Sequence, residues 1–435
     1  MAEVLSFCMV STFYPPHSFG GDAVHVEQLA TGLARRGHRV RVLHNPTAHR
    51  LLGGQPAAPS PAQSRSGGAA GGVEVLPVLT GPSGAAASAA TYLVGGPTGY
   101  RKRLERLTAG FDVVHFHNPS LLGGPGGLAS GSPGSVRLLT THEHWLLCPM
   151  HTLFRYNREV CTSRTCWRCC LAYRRPPQPW RSVRPLGEQL AVLDALLAPS
   201  RFTAALHRRA FPDMRVELLP LLPPDPASLA AAAAPPEAEG STRPFFLFAG
   251  RLERIKGADW LVDAFETVRG ADLVIVGEGS QAGEIRRRAE ANPAVRLLGR
   301  LAHPQVLALM RAARAVVVPS AGYETFGLSA VEAMALGTPV VVRAIGPLPE
   351  LVEHGGGLAV ADEPEMVAAL QGLVDDEGLA SRMGEEAAAV SATRGQEPAF
   401  RRYFELVSEL AANRGQHRAA RAAAVAASEA SEPGE

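Results

Sequence analysis

Along the chain, short apolar runs alternate with stretches in which apolar residues recur every three or four positions. In the first half the runs are VLSFCMV, RVRVL, VEVLPV, DVVHF, VRLLT, DALLAP and RVELLP. They are continuous, not alternating, which is the pattern of parallel strands buried on both faces. Between the first two lies DAVHVEQLATGLARRGH, where Val26, Leu29, Ala30 and Leu33 share one helical face and Gly37 closes it. That is a β-α-β unit. After Leu222 the pattern breaks. PPDPASLAAAAAPPEAEGSTRP is rich in Pro and Ala and carries no strand signal, which predicts an interdomain linker over 223–243. Alternation resumes with FFLFA, DLVIV, VRLL, AVVVP, PVVV and LAV. The expectation is an α/β protein of two Rossmann-like domains, 1–222 and 244–395. PAFRRYFELVSELAANR predicts a last amphipathic helix within 396–414, and the tail 415–435 lacks core residues and reads as disordered. Stretches near 53–72, 81–98 and 119–134, rich in Gly, Ala, Ser and Pro, read as mobile surface loops.

Composition narrows the class without naming it. The length of 435 residues suits two domains, and 46% hydrophobic with 19% charged residues describes an ordinary globular protein. A net charge of +2 gives no general case for nucleic acid. MAEVLSFCMVSTFYPP lacks a basic leader and reads as a first strand, and no apolar stretch is long enough to span a bilayer. The expectation is a cytoplasmic protein, free or at the inner face of the membrane, with reduced thiols.

Candidate chemistry begins with PSAGYETFGLSAVEAMALGTPVV, which holds Glu324 and Glu332 eight positions apart. Glu324 falls in the loop after a strand, where α/β proteins bind ligands. The helix that follows begins near Leu328, so Glu332 lies a little over one turn into it. Unpaired N–H groups at a helix start favour an anion. An anion site flanked by two carboxylates suits a sugar nucleotide, with diphosphate on the helix start and hydroxyls on the acids; a solvated Glu332 and a plain loop acid Glu324 are the bland alternative. FAGRLERIKGADWLVDAF follows the first strand of the second half, with Arg251 and Lys256 on its loop between Gly250 and Gly257. Two cations there suit a phosphate clamp.

Together these motifs resemble the retaining GT-B glycosyltransferases of the glycogen-synthase-like superfamily. The E-x7-E pair, GRLERIKG, VGEGS and GTPVV stand in family order, and FYPPHSFGGDAVHVEQLATGLARRGHRVRVL, DVVHFHN and TTHEHW resemble further family patterns. The resemblance implies two Rossmann-like domains facing across a cleft and transfer of a hexose from a UDP or GDP sugar to a hydroxyl acceptor. It implies retention of configuration and no catalytic metal, and no Asp-x-Asp occurs in the sequence. By the same resemblance Glu332 holds the ribose, and Glu324 with the amides of Thr325, Phe326 and Gly327, ahead of Leu328, holds the hexose. Arg251 and Lys256 neutralise the leaving diphosphate beside Gly250. Gly20 and Gly21 form the glycine-rich loop that admits it, His142 contacts the donor sugar, and Arg300 lies where backbone reads the base. The closing helix is implied to cross back onto the first domain. A sugar-nucleotide epimerase and a non-catalytic sugar-nucleotide-binding protein are the alternatives. A nicotinamide dehydrogenase is disfavoured, since no G-x-G-x-x-G follows the first strand.

Three features lie outside that scheme. HFH (His115, His117) and HEH (His142, His144) invite a metal reading, although a histidine at a strand end is more often a hydrogen-bonding cleft residue. Residues 160–187 hold six arginines and no acid, with Trp167, Tyr173 and Trp180 interleaved, which suits an anionic acceptor, a membrane surface or a solvated basic excursion. The sequence defines the acceptor no further than a hydroxyl on a saccharide, lipid-linked or small molecule. Five of the six cysteines fall within 148–170, and Cys148, Cys161, Cys166 and Cys169 give C-x12-C-x4-C-x2-C. In a reducing compartment that crowding favours a structural zinc over disulfides, against the alternatives of free thiols or an iron–sulfur cluster.

Overall fold

The computed structural model describes residues 4–54, 72–183, 186–225, 229–230 and 243–413. Most of the stretch 53–72, most of the expected linker and the tail 415–435 lie outside the described residues.

Two parallel sheets carry the fold. The first is built from β1 (Ser6–Ser11), β2 (Arg39–His44), β3 (Val73–Pro77), β4 (Val113–Asn118) and β5 (Val136–Thr140). After a short antiparallel hairpin, β6 (Phe154–Arg155) and β7 (Glu159–Val160), it is completed by β8 (Ala195–Ala198) and β9 (Val216–Leu218). The order is β3-β2-β1-β4-β5-β8-β9. The second sheet contains β10 (Phe245–Ala249), β11 (Asp272–Val276), β12 (Val295–Gly299), β13 (Ala315–Val318), β14 (Val340–Arg343) and β15 (Gly357–Val360), ordered β12-β11-β10-β13-β14-β15. Each of the apolar runs in the sequence supplies one of these strands. Side chains of the inner strands β1, β4, β5, β8, β11 and β13 are buried on both faces because helices cover both sides, while the edge strands β3 and β12 are partly exposed. The strand order reverses between β1 and β4 and again between β10 and β13, so each sheet opens a crevice at its carboxyl edge there.

The last helix, Gln396–Ala412, returns to the first sheet. Its Phe400, Tyr403, Leu406, Val407 and Leu410 share a core with Phe7, Met9, Leu29 and Leu33. Gly32 makes room for it, since a Cβ there would lie 2.2 Å from Phe400 Cζ.

Of two stretches expected as mobile surface loops, one is a helix and the other a loop that is largely buried. Residues Gly81–Val94 form a helix capped by left-handed Gly95 (φ 76°). Its small residues let it pack closely, with Ser88 accepting a bond from Asn45 and Thr91 bonded to Tyr100 at 2.9 Å. Alanine-rich sequence is compatible with a helix as well as a loop, and packing decides. The stretch after Asn118 is largely buried, with Leu122 and Leu128 inaccessible, so it is interior turn and not mobile surface. Among the described residues no helix is long and apolar enough to cross a membrane.

Candidate active site

The two crevices face each other, and each contributes a helix start. The helix Gly21–Arg35 follows β1, and the helix Leu328–Ala335 follows β13. They meet at Gly21, where a Cβ would lie 2.3 Å from Leu328 Cδ1. A side chain at Gly21 would have to displace the tip of Leu328. Gly327 (φ 93°) turns the chain into the second of these helices in a left-handed conformation that favours glycine.

Glu324 lies on the loop after β13. Its carboxylate receives both bonds of Lys256 Nζ, at 2.7 and 2.9 Å, and one from Ser320 Oγ at 2.7 Å. Burial alone would raise its pKa, but the Lys256 charge and hydrogen bond and the Ser320 bond outweigh it and hold the carboxyl below its ordinary value. Glu324 is therefore an ionised acid in a half-dry cleft. Glu332 is tolerated in its helix because its carboxylate reaches His303 Nε2 at 2.8 Å instead of entering the core. That bond, working against burial, raises the His303 pKa.

Thr325 joins the halves. Its hydroxyl donates to the His142 carbonyl at 2.8 Å, and its own carbonyl accepts from Ser200 Oγ at 2.9 Å and Thr203 Oγ1 at 3.1 Å. Glu350 adds bonds from the backbone amides of Arg201 and Phe202.

Behind this seam lies a buried histidine chain. His115 bridges Tyr403 OH (3.0 Å) and Thr140 Oγ1 (2.8 Å), which ties the returning helix to β4 and β5. His117 Nδ1 meets His142 Nε2 at 3.0 Å, and His117 Nε2 meets Met9 Sδ at 3.4 Å. A thioether only accepts, so His117 donates from Nε2 and accepts at Nδ1. His142 must then carry its proton on Nε2, and its Nδ1 is a buried lone pair without a partner. Burial, then the neighbouring His115, pushes His142 down to about 3, so the imidazole stays neutral. His25, His117 and His142 bring ligand atoms within 4.8 Å of one another, but His117 Nδ1 and His142 Nε2 are already bonded to each other.

Two acids that the sequence reading missed complete the cleft. Asp22 follows Gly21, accepts from Asn118 Nδ2 at 3.3 Å, and is pushed up by burial and by nearby Glu143, against the opposing effects of the Ala23 amide, Asn118 and Arg251. Glu143, between the histidines of HEH, pairs with His151 Nδ1 at 2.7 Å. Their signal was position, beside Gly21 and His142. Arg251 is exposed and close enough to act on both Asp22 and Glu324, but ion-pairs with neither of them.

Thus His142, Gly21, Arg251, Lys256, Glu324, Thr325 and Leu328 come together. Glu332 stands one helical turn away. Phe326 is buried in the core of the second half. The Gly250 amide is occupied by the Val276 carbonyl at 3.0 Å. Gly20 and Arg300 are exposed, and Arg300 lies near His49 of the first half.

The basic excursion is partly interior. Arg181 donates to the Trp145 and Leu146 carbonyls, and burial pushes it down to about 10. Trp180 is buried and bonds the Tyr92 carbonyl at 3.0 Å, while Trp167 and Leu171 are exposed. The thiols of Cys148, Cys169 and Cys170 gather with Met150 in a small core of their own, and Cys161 and Cys166 lie beside it at intermediate exposure. Among the described residues no three cysteine sulfurs lie within 4.8 Å of one another.

Two facing Rossmann-like sheets with helix starts, cations and carboxylates at a shared cleft define the GT-B class of sugar-nucleotide-dependent transferase. Residues 19–221 match the model described as Glycosyltransferase Family 4, and residues 243–376 match Glycosyl transferases group 1. The chain is 32% identical over 411 residues to D-inositol 3-phosphate glycosyltransferase of Xylanimonas cellulosilytica, covering 87% of this chain and 89% of that one. Over 146 residues it is 39% identical to glycogen synthase of Mycobacterium tuberculosis, covering 31% of this chain and 35% of that one. Its fold is similar to Anabaena HepE in complex with UDP and glucose, with a TM-score of 0.64 at 18% identity over 93% of this chain and all of that one (100%). The chain belongs to the family 4, group 1 glycosyltransferases, and it transfers a sugar from a nucleotide-sugar donor.

Proposed function

We propose that this enzyme moves a hexose from a UDP or GDP sugar to a hydroxyl acceptor, with retention of configuration and without a catalytic divalent cation. The observation that carries the reading is the meeting of Gly21 and Leu328 beside the Glu324–Lys256 pair. Two helix starts and two cations face the place where a leaving diphosphate gathers charge, which is what a divalent ion would otherwise supply. In this reading residues 1–222 bind the acceptor, 244–395 bind the donor, and the returning helix fastens the two.

The roles follow from the chemistry of each group. Lys256 leaves Glu324 to meet the diphosphate, joined by Arg251, and Glu324 then accepts hexose hydroxyls. His142 Nδ1, a lone pair with no partner, accepts a donor hydroxyl. Glu332 exchanges His303 for the ribose. Thr325, Phe326 and Gly327 offer backbone to the hexose, and Gly20, Gly250 and Arg300 border the donor. A uridine donor is favoured by the HepE complex, and a polyol-type acceptor by the name of the inositol-phosphate relative. Exposed Trp167 and Leu171 among arginines suit an acceptor presented at an anionic membrane surface, which fits a cytoplasmic enzyme working at the inner leaflet.

A thermal-shift screen of nucleotide sugars tests the donor, because a ligand stabilises the state it binds. Product anomers followed by NMR test retention; an inverted product overturns it. Added magnesium or manganese is expected to leave turnover unchanged, and a large stimulation would contradict metal-independent departure. Glu332→Gln is expected to weaken nucleoside-diphosphate binding by roughly 1–3 kcal/mol, the scale of a charge-assisted hydrogen bond. Calorimetry reads this, and unchanged affinity in a folded variant removes Glu332 from the site.

A further inference from the structure

The segment between His142 and Trp180 behaves unlike the rest of the chain. All five described non-glycine residues with positive φ lie in it: His151, Leu153, Tyr156, Asn157 and Arg174, with φ from 50° to 69°. Such conformations persist only where the surroundings over-determine them. Yet the local core is only Cys148, Met150, Cys169 and Cys170, with Leu153, Tyr156 and Tyr173 against it. Hydrogen bonds supplement that small core, among them the His144 amide to the His151 carbonyl at 2.9 Å and the Tyr156 hydroxyl to Thr165 Oγ1 at 2.8 Å. The Tyr156 amide donates to Cys169 Sγ at 3.4 Å. Cys148 shares this small core with Cys169, and Cys161 and Cys166 border it at intermediate exposure.

The same segment touches the donor loop. Phe154, on β6, is buried against Gly322, where a Cβ would lie 2.9 Å from Phe154 Cδ2 and 2.6 Å from Ile255 Cγ1. Gly322 is two residues before Glu324, and Ile255 immediately precedes Lys256. Phe154 is itself gripped by the cysteine-bearing segment. Tyr173 OH donates to its carbonyl at 2.5 Å, and the Cys161 amide donates to the Leu153 carbonyl at 2.7 Å.

We propose that Cys148, Cys161, Cys166 and Cys169 bind one zinc ion, and that the clasp it closes seats the Glu324 and Lys256 loops through Phe154. Four thiols release their protons to solvent as they ligate, and the sulfurs, no three of which lie within 4.8 Å of one another, move together to close the tetrahedron. Cys170, inaccessible to solvent, is left outside the set. The metal site stands independently of the donor assignment. The seating role rests on the reading of Glu324 and Lys256 as donor-site residues.

Full-length protein purified under reducing conditions without added metal is analysed for zinc, and the dissociation constant of a stabilising nucleoside diphosphate is measured alongside. About one zinc per chain is expected, lost in the C166S/C169S variant. Phe154→Ala is expected to keep its zinc and bind the nucleotide on the order of 2- to 30-fold more weakly, the range for coupling through packed contacts. Less than a tenth of an equivalent of zinc in active wild-type enzyme overturns the site. So does zinc retained in full by C166S/C169S, which would move the metal elsewhere, or iron with visible absorbance. Wild-type nucleotide affinity in Phe154→Ala overturns the seating role and leaves the metal result to stand alone. Should C166S/C169S fail to fold, thiol titration of the wild-type enzyme tests the cysteines instead: zinc released in step with thiol modification supports them as ligands, and zinc retained after full modification overturns them.

Discussion

Glu324→Gln and Lys256→Ala are each expected to lower kcat/KM by about 10²- to 10³-fold, the cost of removing one preorganised electrostatic partner from a developing charge. Without ligand the two groups hold each other, through bonds of 2.7 and 2.9 Å. Each single change therefore also strands a charge. Lys256→Ala leaves the Glu324 carboxylate with Ser320 and the more distant Arg251. Breaking a buried pair from one side costs about 3–5 kcal/mol, so part of the damage is expected in the melting temperature. The side chain of Lys256 is 25% exposed and that of Glu324 15%, which puts the stability loss toward the small end. Activity and melting temperature must be read together. If the pair were only structural, the double variant Glu324→Gln/Lys256→Ala would recover activity as it recovers stability. The catalytic reading requires that the double variant stay inactive, because the diphosphate and the hexose each lose a separate partner. Full turnover in either single variant sinks the assignment for that residue.

The sheets were legible because parallel strands buried on both faces leave continuous apolar runs, as in Val316–Val318 beside Val340–Val342. Glu324 was legible as a candidate because it falls in the loop after an apolar strand run, eight positions before Glu332. What sequence could not carry was proximity across the cleft. His25 sits next to Val26 on a helix face that reads as core, and nothing in its spacing places it 5.2 Å, ring to ring, from His142. Asp22 reads as an ordinary first-turn acid until the fold brings Asn118 and Arg251 beside it. Trp180 and Arg181 failed differently. Their neighbourhood is basic and proline-rich, which usually means solvent, but carbonyls of Tyr92, Trp145 and Leu146 receive them indoors. Residues 81–98 misled because Gly, Ala and Ser serve both loops and close helix packing.

Between about pH 6.5 and pH 5 the protein is expected to lose stability steeply, with the first sheet the origin. His25, His115, His117, His142 and His144 are all buried, and burial is the first cause that lowers each of them, with neighbouring histidines adding to it. The sign follows from proton counts. Native histidines of this kind stay neutral down to about 3 for His115, His142 and His144, while the unfolded chain takes up protons below about 6.5. In that window the unfolded state binds more protons, so stability rises with pH and is complete above the unfolded value. Each such histidine removes up to about 1.4 kcal/mol per pH unit on the way down. Typical domains have only about 5–15 kcal/mol in all, so several acting together are enough to unfold this one before strong acid is reached. Two groups oppose the trend: His303, raised by Glu332, and Asp22, raised by burial, both hold protons more firmly when folded. They are outnumbered. Glu324 titrates lower and does not contribute until the window has passed. Urea melts at about pH 7.5, 6.5 and 5.5 measure the slope, and His25→Asn is expected to flatten it by up to one histidine's share. A midpoint that does not move between about pH 7.5 and 5.5 would mean that the buried histidines are already charged in the native state, and the tautomer chain that leaves His142 Nδ1 free would fall with it.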